Sequence, residues 1–576
     1  MDKKVKVYST PTCPYCIRAK QFLKEMSVIF EDIDVSMNQE AAEEMIKRSG
    51  QMGVPVIDIN GELIVGNKLC YDVMISADVQ PGQSHPTLAK VSSVLGISVK
   101  ELESRLVKGY IGPFAPVTVA SNIDIKKAIS LEELKPEFTE VTVQPRTVRY
   151  YPYGSLACHV LGYLNEIDRW RLTKLADYGY KTKDIVGFGG IEEKYDYYLR
   201  QEEGGMSVIV DHKGRFVRVY GFAPPHSGKD IQLTLDLRVQ KIVEENLQGR
   251  KGCVIFMDPY SGEIIAMASV PNYDPTLFVE KSNTLGSIFS DSDAPIINRA
   301  ISGVYPAGSV FKVIDSTAAL QTRKLNLNTT YLCTGGIYVG RQKFNCWNVH
   351  YEQSLLLAIA HSCNSFFYRT GILLGPQILY DYAVKFGLSK PTGIDIPYES
   401  YGFVPSPLWK KIYKFQKWTD GDTANLSIGQ AELLVTPLQL TRMMAVMANK
   451  GFLVTPYIIK AVDNKDITAY RRKVIPFPVN ARVIDNVREG LRMVVTDPTG
   501  TGNILSTLGV SAAGKTGTAQ VSQGQPHAWF VGFVPFEKPK YVFCVFLEHG
   551  GSGWAACALA KKILAAMIKE GILKET

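Results

Sequence analysis

The stretch Tyr305-Pro306-Ala307-Gly308-Ser309-Val310-Phe311-Lys312, continuing as VIDSTAALQ (313–321), carries the decisive spacing in this chain. A serine and a lysine three positions apart on a helix lie one turn apart on the same face. A serine hydroxyl is a weak nucleophile until a neighbouring base takes its proton. Lysine serves as that base only when burial or a nearby cation depresses its pKa. A helix that starts at the serine also aims unpaired backbone N–H groups at a reacting carbonyl oxygen. Taken alone, the pattern fixes two of four positions, and a capped helix with a surface lysine would read the same way.

Two further motifs follow in order. Ser362-Cys363-Asn364 precedes SFFYRTG (365–371), and Lys515-Thr516-Gly517-Thr518 sits inside AAGKTGTAQ (512–520). The small-residue run reads as an edge strand, and Gly517 lets a substrate backbone lie against it. Lys515 with the hydroxyl of Thr516 or Thr518 suits a carboxylate. Ser362 and Asn364 suit a proton relay and an amide clamp. Together the three motifs are the serine set of penicillin-recognising enzymes.

Around these motifs, from about Ile231, the pattern is mixed α/β: strands VIFMD (254–258) and EIIAMAS (263–269), several helices, strands HAWFVGFV (527–534) and KYVFCVFLE (540–548), and a helix from Ala556. Strands returning to one sheet predict an α+β domain, an antiparallel sheet flanked by helices. Residues 70–225 are rich in Tyr, Gly and Pro, with strand-like runs at 71–76, 140–151 and 206–211 and one helix near Val99 to Lys108. Residues 1–66 predict a compact α/β unit: strand 5–9, helix 16–26, strand 30–35, helix 41–50, and a hairpin turning at Asn60-Gly61. The expected domains are 1–66, 67–228 and 229–576.

Composition narrows the classes. A chain of 576 residues is too long for one core. Hydrophobic content of 46% with 21% charged residues excludes disorder. The net charge of +8 is spread out rather than gathered in a basic run, which argues against nucleic acid and suits work near anionic envelope polymers. No apolar run of about 18 residues marks a membrane span, and the start MDKKVKVYSTPTCPYC lacks the apolar region of a secretory leader.

The resemblance extends well beyond the motifs. KLCYDVMISADVQ (68–80), VQPRTVRYYPYGSLACHVLGYLNEID (143–168), GFGGIEEKYDYYLRQEEGG (187–205), LTLDLRVQ (233–240), GCVIFMDPYSGEIIAMASVPNYDP (252–275) and HAWFVGFVP (527–535) resemble class B penicillin-binding proteins, and the tyrosine-rich run resembles the elongation-specific penicillin-binding protein 2 type. This implies a pedestal (dimerisation) domain and a D,D-transpeptidase domain that cross-links peptidoglycan stem peptides and is inhibited by β-lactams. It also implies no glycosyltransferase of its own, a SEDS-family glycosyltransferase and other elongation-complex proteins as partners, and no cofactor for transpeptidation. By the same resemblance Ser309 attacks the penultimate D-Ala carbonyl, Lys312 is its base, Ser362 relays a proton and Asn364 positions the peptide. Lys515, Thr516 and Thr518 bind the terminal carboxylate, Gly517 leaves room for the substrate, and the N–H groups of Ser309 and Thr518 form the oxyanion hole. Family members commonly have proline where Ala307 stands, which leaves the chemistry intact. A β-lactam sensor or β-lactamase shares the triplet but needs no long pedestal. The resemblance implies the periplasmic face of the inner membrane, whereas the chain as written, with neither leader nor span, reads as cytoplasmic.

Cys333, Cys346 and His350 are spaced as zinc ligands, with His361 or Cys363 as the candidate fourth. A Cys333–Cys346 disulfide is the rival reading. At the N-terminus, Cys13-Pro-Tyr-Cys16 meets a helix start, where the dipole lowers a thiol pKa. VYSTPTCPYC, EDIDV and GQMGVPVIDINGE resemble a small glutaredoxin, a thioredoxin-like fold here lacking its closing helix. The resemblance makes Pro55 the cis-proline facing the cysteines and glutathione or a protein disulfide the substrate. The two resemblances meet at INGELIVGN (59–67), a stretch either family could claim, so the expectation is a chimeric chain, as a fused gene or an assembly join.

Overall fold

The computed structural model describes residues 5–11, 14–25, 28–49, 56–59, 62–65, 68–76, 79, 85–110, 116–134, 136–200, 204–210, 216–223, 227–280 and 284–574. The chain divides into two compact units, Met1–Gly154 with Glu202–His226 and Thr276–Ser282, and Ser155–Gln201 with Ser227–Pro275 and Asn283–Thr576. The run 155–201, which lies within the expected pedestal segment 67–228, thus groups with the unit that carries the three motifs.

In the first unit a four-stranded sheet has the order Phe30–Asp34, Val5–Ser9, Val56–Ile59, Glu62–Val65. Val5–Ser9 runs parallel to the first neighbour and antiparallel to the second. Helices Pro14–Glu25 and Gln39–Ser49 connect these strands. Lys20 ties its helix to the sheet through Asp32 at 2.8 Å and Ser9 at 3.2 Å. The next element is strand Lys68–Ile75 of a second sheet rather than a third helix. That strand lies between Val117–Ile123 and Val141–Val148, both antiparallel to it. Helices Pro86–Leu95, Val99–Gly109 and Ile125–Glu132 bury Leu88, Val91, Leu102, Leu106, Ala128 and Leu131 with that sheet's apolar residues. The first and third of these helices were not expected. Each has too few turns to make its period stand out, and their starts rest on Pro86 in the first turn and on the Asp124 cap.

The second unit is built on a five-stranded antiparallel sheet in the order Ile264–Val270, Gly252–Met257, Tyr541–Leu547, His527–Val534, Ala513–Ala519. Side chains alternate between two cores. Cys253, Ile255 and Met257 pack on one face with Val542, Cys544 and Phe546, while Val254 and Phe256 pack on the other with Phe543 and Val545. Both faces are covered, which is why these strands read as continuous apolar runs. Helices Leu237–Leu247 and Gly553–Lys569 cover the outer face, and Lys312–Gln321, Pro437–Ala448 and Ala481–Thr496 lie on the inner side. The last helix starts three residues before the expected Ala556, at Gly553. Among the described residues no helix is long and apolar enough to cross a membrane.

Candidate active site

Ser309 lies in a single 3-10 turn, Gly308–Phe311, which leads directly into helix Lys312–Gln321. The serine therefore precedes the α-helix rather than opening it. Gly308 has φ +54, and a Cβ there would come within 2.8 Å of the Thr518 carbonyl. Its N–H donates to the Gly429 carbonyl at 2.9 Å. A Cβ on Gly517 would meet Val310 at 2.9 Å. The glycines thus let the third motif's strand close against the nucleophile's turn.

Lys312 is fully buried, and its Nζ donates to Asn364 Oδ1 at 2.7 Å, the Ser362 carbonyl at 2.8 Å and Ser362 Oγ at 3.3 Å. Residues 50 and 52 positions apart thus meet on one ammonium. Burial pushes the Lys312 pKa down to about 8. Ser362 holds the left-handed conformation at φ 55, which costs a non-glycine residue about 1–3 kcal/mol.

Lys515 is also fully buried on the edge strand Ala513–Ala519, with its Nζ 3.1 Å from the Thr516 carbonyl. Burial pushes its pKa well down, and repulsion from Lys312 adds to this, so the two ammonium groups share one electrostatic environment. Thr518 is exposed on the same strand, while Thr516 is buried and donates to Thr501 Oγ1 at 2.7 Å.

Thr499, Thr501 and Gln430 carried no sequence signal. His361 Nε2 lies 2.8 Å from Thr499 Oγ1, and the Thr501 N–H donates to the Ala360 carbonyl at 3.1 Å. Thr501 therefore joins Ala360, two residues before the second motif, to the third motif through Thr516. Only folding brings the DPTGT run (497–501) to this place. Gln430 reaches the Thr518 carbonyl at 3.5 Å.

Asp315, one turn beyond Lys312, is fully buried, and neither carboxylate oxygen has a hydrogen-bond partner among the described residues. Burial raises its pKa well above the ordinary carboxylate value. The stability linked to such a group is fully present below the unfolded value near 3.9 and is lost as pH rises through the folded value. Asp315→Asn is therefore expected to raise the melting temperature by about 2 °C or more at neutral pH and to leave it unchanged near pH 4. An equal shift at both pH values in a thermal melt would show that ionisation is not the cause.

Cys333, Cys346, His350 and Cys363 bring three thiols and one imidazole nitrogen within 4.8 Å of one another. His350 Nδ1 lies 3.5 Å from Cys346 Sγ and 3.6 Å from Cys333 Sγ, and the Asn364 N–H donates to Cys346 Sγ at 3.2 Å. Hydrogen bonding from Cys363 holds the Cys346 thiol well below its ordinary pKa, and the same contact pushes Cys363 up. Cys333 and Cys346 stand as free thiols, and Cys363 rather than His361 lies with them and His350. Tetrahedral zinc with Zn–S near 2.3 Å needs sulfurs about 3.8 Å apart, so the donor set fits after a small contraction.

Of the redox residues, Cys16 is buried in helix Pro14–Glu25, while Cys13 and Pro55 lie outside the described residues.

With this geometry in view, residues 252–569 match the family described as penicillin binding protein transpeptidase domain. The chain belongs to that family. Residues 55–233 match the penicillin-binding protein dimerisation domain and residues 5–64 match glutaredoxin. The last two matches overlap at 55–64, which shares residues 59–64 with the stretch that both resemblances could claim. The peptidoglycan D,D-transpeptidase MrdA of Acinetobacter baumannii is 30% identical over 534 residues, covering 88% of this chain and 79% of the relative. The protein of the same name from Escherichia coli K12 is 30% identical over 542 residues, covering 88% and 85%. Penicillin-binding protein 2 from Helicobacter pylori, solved in complex with MreC, superposes with a TM-score of 0.76 at 28% identity, covering 89% of this chain and 97% of that one. The fold is thus a class B transpeptidase fold with its dimerisation domain, behind a glutaredoxin-like domain.

Proposed function

We propose that this chain is a peptidoglycan D,D-transpeptidase of the penicillin-binding protein 2 type, working through an acyl-enzyme on Ser309. The observation that carries this reading is the buried pair of lysines. Lys312 meets Ser362 and Asn364, while Lys515 stands on the edge strand with, among the described residues, a single carbonyl partner and no counter-charge. A buried ammonium in that state favours an arriving carboxylate strongly.

A stem peptide lying along Ala513–Ala519 places its terminal carboxylate against Lys515 and Thr518. Neutral Lys312 takes the proton of Ser309, whose oxygen attacks the penultimate D-Ala carbonyl. The N–H groups of Ser309 and Thr518 hold the oxyanion, and Ser362 passes a proton to the leaving D-Ala. An amine of a neighbouring stem then attacks the ester, forming the cross-link and freeing Ser309. Labelling the full chain with a fluorescent penicillin and mapping the adduct by peptide mass tests this reading. The adduct is expected on Ser309 and slow to hydrolyse. Fast turnover would favour the β-lactamase alternative.

Stem peptides as substrate place the catalytic unit at the periplasmic face of the inner membrane. The solved complex of a relative with MreC supports elongation-complex proteins as partners, alongside a SEDS-family glycosyltransferase that makes the strands. The N-terminal glutaredoxin-like domain is read as a thiol–disulfide oxidoreductase using Cys13 and Cys16, with glutathione or a protein disulfide as substrate.

Zinc held by Cys333, Cys346, Cys363 and His350 would pin the second motif, because Cys363 stands between Ser362 and Asn364. One zinc per chain is the expected result of elemental analysis. Cys346→Ala is expected to lose the metal and about 5 °C or more in melting temperature. Full stability without metal would remove the zinc reading.

A further inference from the structure

Residues 411–417, which span the end of helix Pro407–Tyr413 and the segment after it, form an unbroken exposed run that the acylation chemistry does not use. Ile412, Tyr413 and Phe415 are 52%, 71% and 89% exposed. Single exposed apolar residues are ordinary, but three within four positions, interleaved with Lys411, Lys414 and Lys417, mark a binding surface. Lys410 is held by Asp422 at 2.6 Å, whereas no described carboxylate lies within ion-pair distance of the other three lysines. Phe415 adopts the left-handed conformation at φ 54, a strained placement that presents its ring to solvent.

The run is anchored one short helix away from the nucleophile's turn. Trp418 Nε1 donates to Thr423 Oγ1 at 2.8 Å, and with the Lys410–Asp422 pair this fixes it on helix Asp420–Ser427. That helix is about 12 Å long at 1.5 Å per residue. Just beyond it stands Gly429, whose carbonyl accepts the Gly308 N–H beside Ser309.

We propose that residues 411–417 bind the glycan strand that carries the stem peptides, stacking sugar rings on Tyr413 and Phe415 and pairing stem carboxylates with Lys411, Lys414 and Lys417. This rests on the transpeptidase reading and extends it from the acylated stem to the polymer behind it. An anionic lipid surface offers similar charges, but the position one short helix from the nucleophile's turn favours a polymer whose own stem reaches Ser309.

The test compares the full chain with Lys411→Ala/Lys414→Ala/Phe415→Ser and with the charge-reversed pair Lys414→Glu/Lys417→Glu. Binding is measured to soluble uncross-linked peptidoglycan strands and to vesicles containing an anionic phospholipid, with penicillin labelling of every protein. Both variants are expected to lose about ten-fold in strand affinity while keeping the label, and wild-type binding should weaken with added salt. Unchanged strand affinity in labelled variants overturns this inference alone. So does binding to vesicles but not to strands that the substitutions abolish. A wild-type chain that takes no label at Ser309 overturns the transpeptidase reading, and the glycan site at 411–417 with it.

Discussion

Ser309→Ala is expected to remove covalent penicillin labelling and stem-peptide cross-linking together, by about four orders of magnitude or more. The acyl-enzyme needs an oxygen at this position, and alanine leaves only binding and the oxyanion donors. The hydroxyl stands in a short 3-10 turn whose backbone is held by Gly429 and by the strand at Gly517. Its removal should therefore change stability by less than about 1 kcal/mol. Loss of label with an unchanged thermal melt is the signature of a nucleophile. Retained label would place the nucleophile elsewhere. Cys13→Ser should leave labelling untouched, since thiol chemistry plays no part in acylation.

Lys312 carries the second large effect. Lys312→Ala is expected to slow acylation by about 10²–10⁴-fold, the usual contribution of a positioned base. Lys312→Arg should be as slow, because guanidinium keeps its proton at any working pH. With the wild-type pKa at about 8, roughly a tenth of the enzyme holds a neutral lysine at pH 7. The acylation rate should rise close to ten-fold per pH unit below that value and level off above it. A flat profile between about pH 6 and 9, or an active arginine variant, would exclude Lys312 as the base.

Local signals in the chain were enough for most elements. The sheet strands at 252–257, 527–534 and 541–547 were legible because every residue along them is buried, and helix 99–109 because its Ser98 cap and apolar period agree. The motif order 309–312, 362–364, 515–518 already named the chemistry. Helices 86–95 and 125–132 were missed, since two or three turns give a weak period that burial against a sheet completes.

The reactive groups themselves are fixed by local sequence: a serine one turn before a lysine, an amide two residues after a second serine, and a lysine on a strand with no bulky neighbour. Their pKa values, the left-handed Ser362, the Thr501 link and the thiol cluster depend on contacts between residues far apart in the chain, such as 52 positions for Lys312 and Asn364 and 141 for Thr501 and Ala360. Burial is a property of the packed interior. A lysine reads as a surface cation until the fold removes its water, and that loss of water makes it a base.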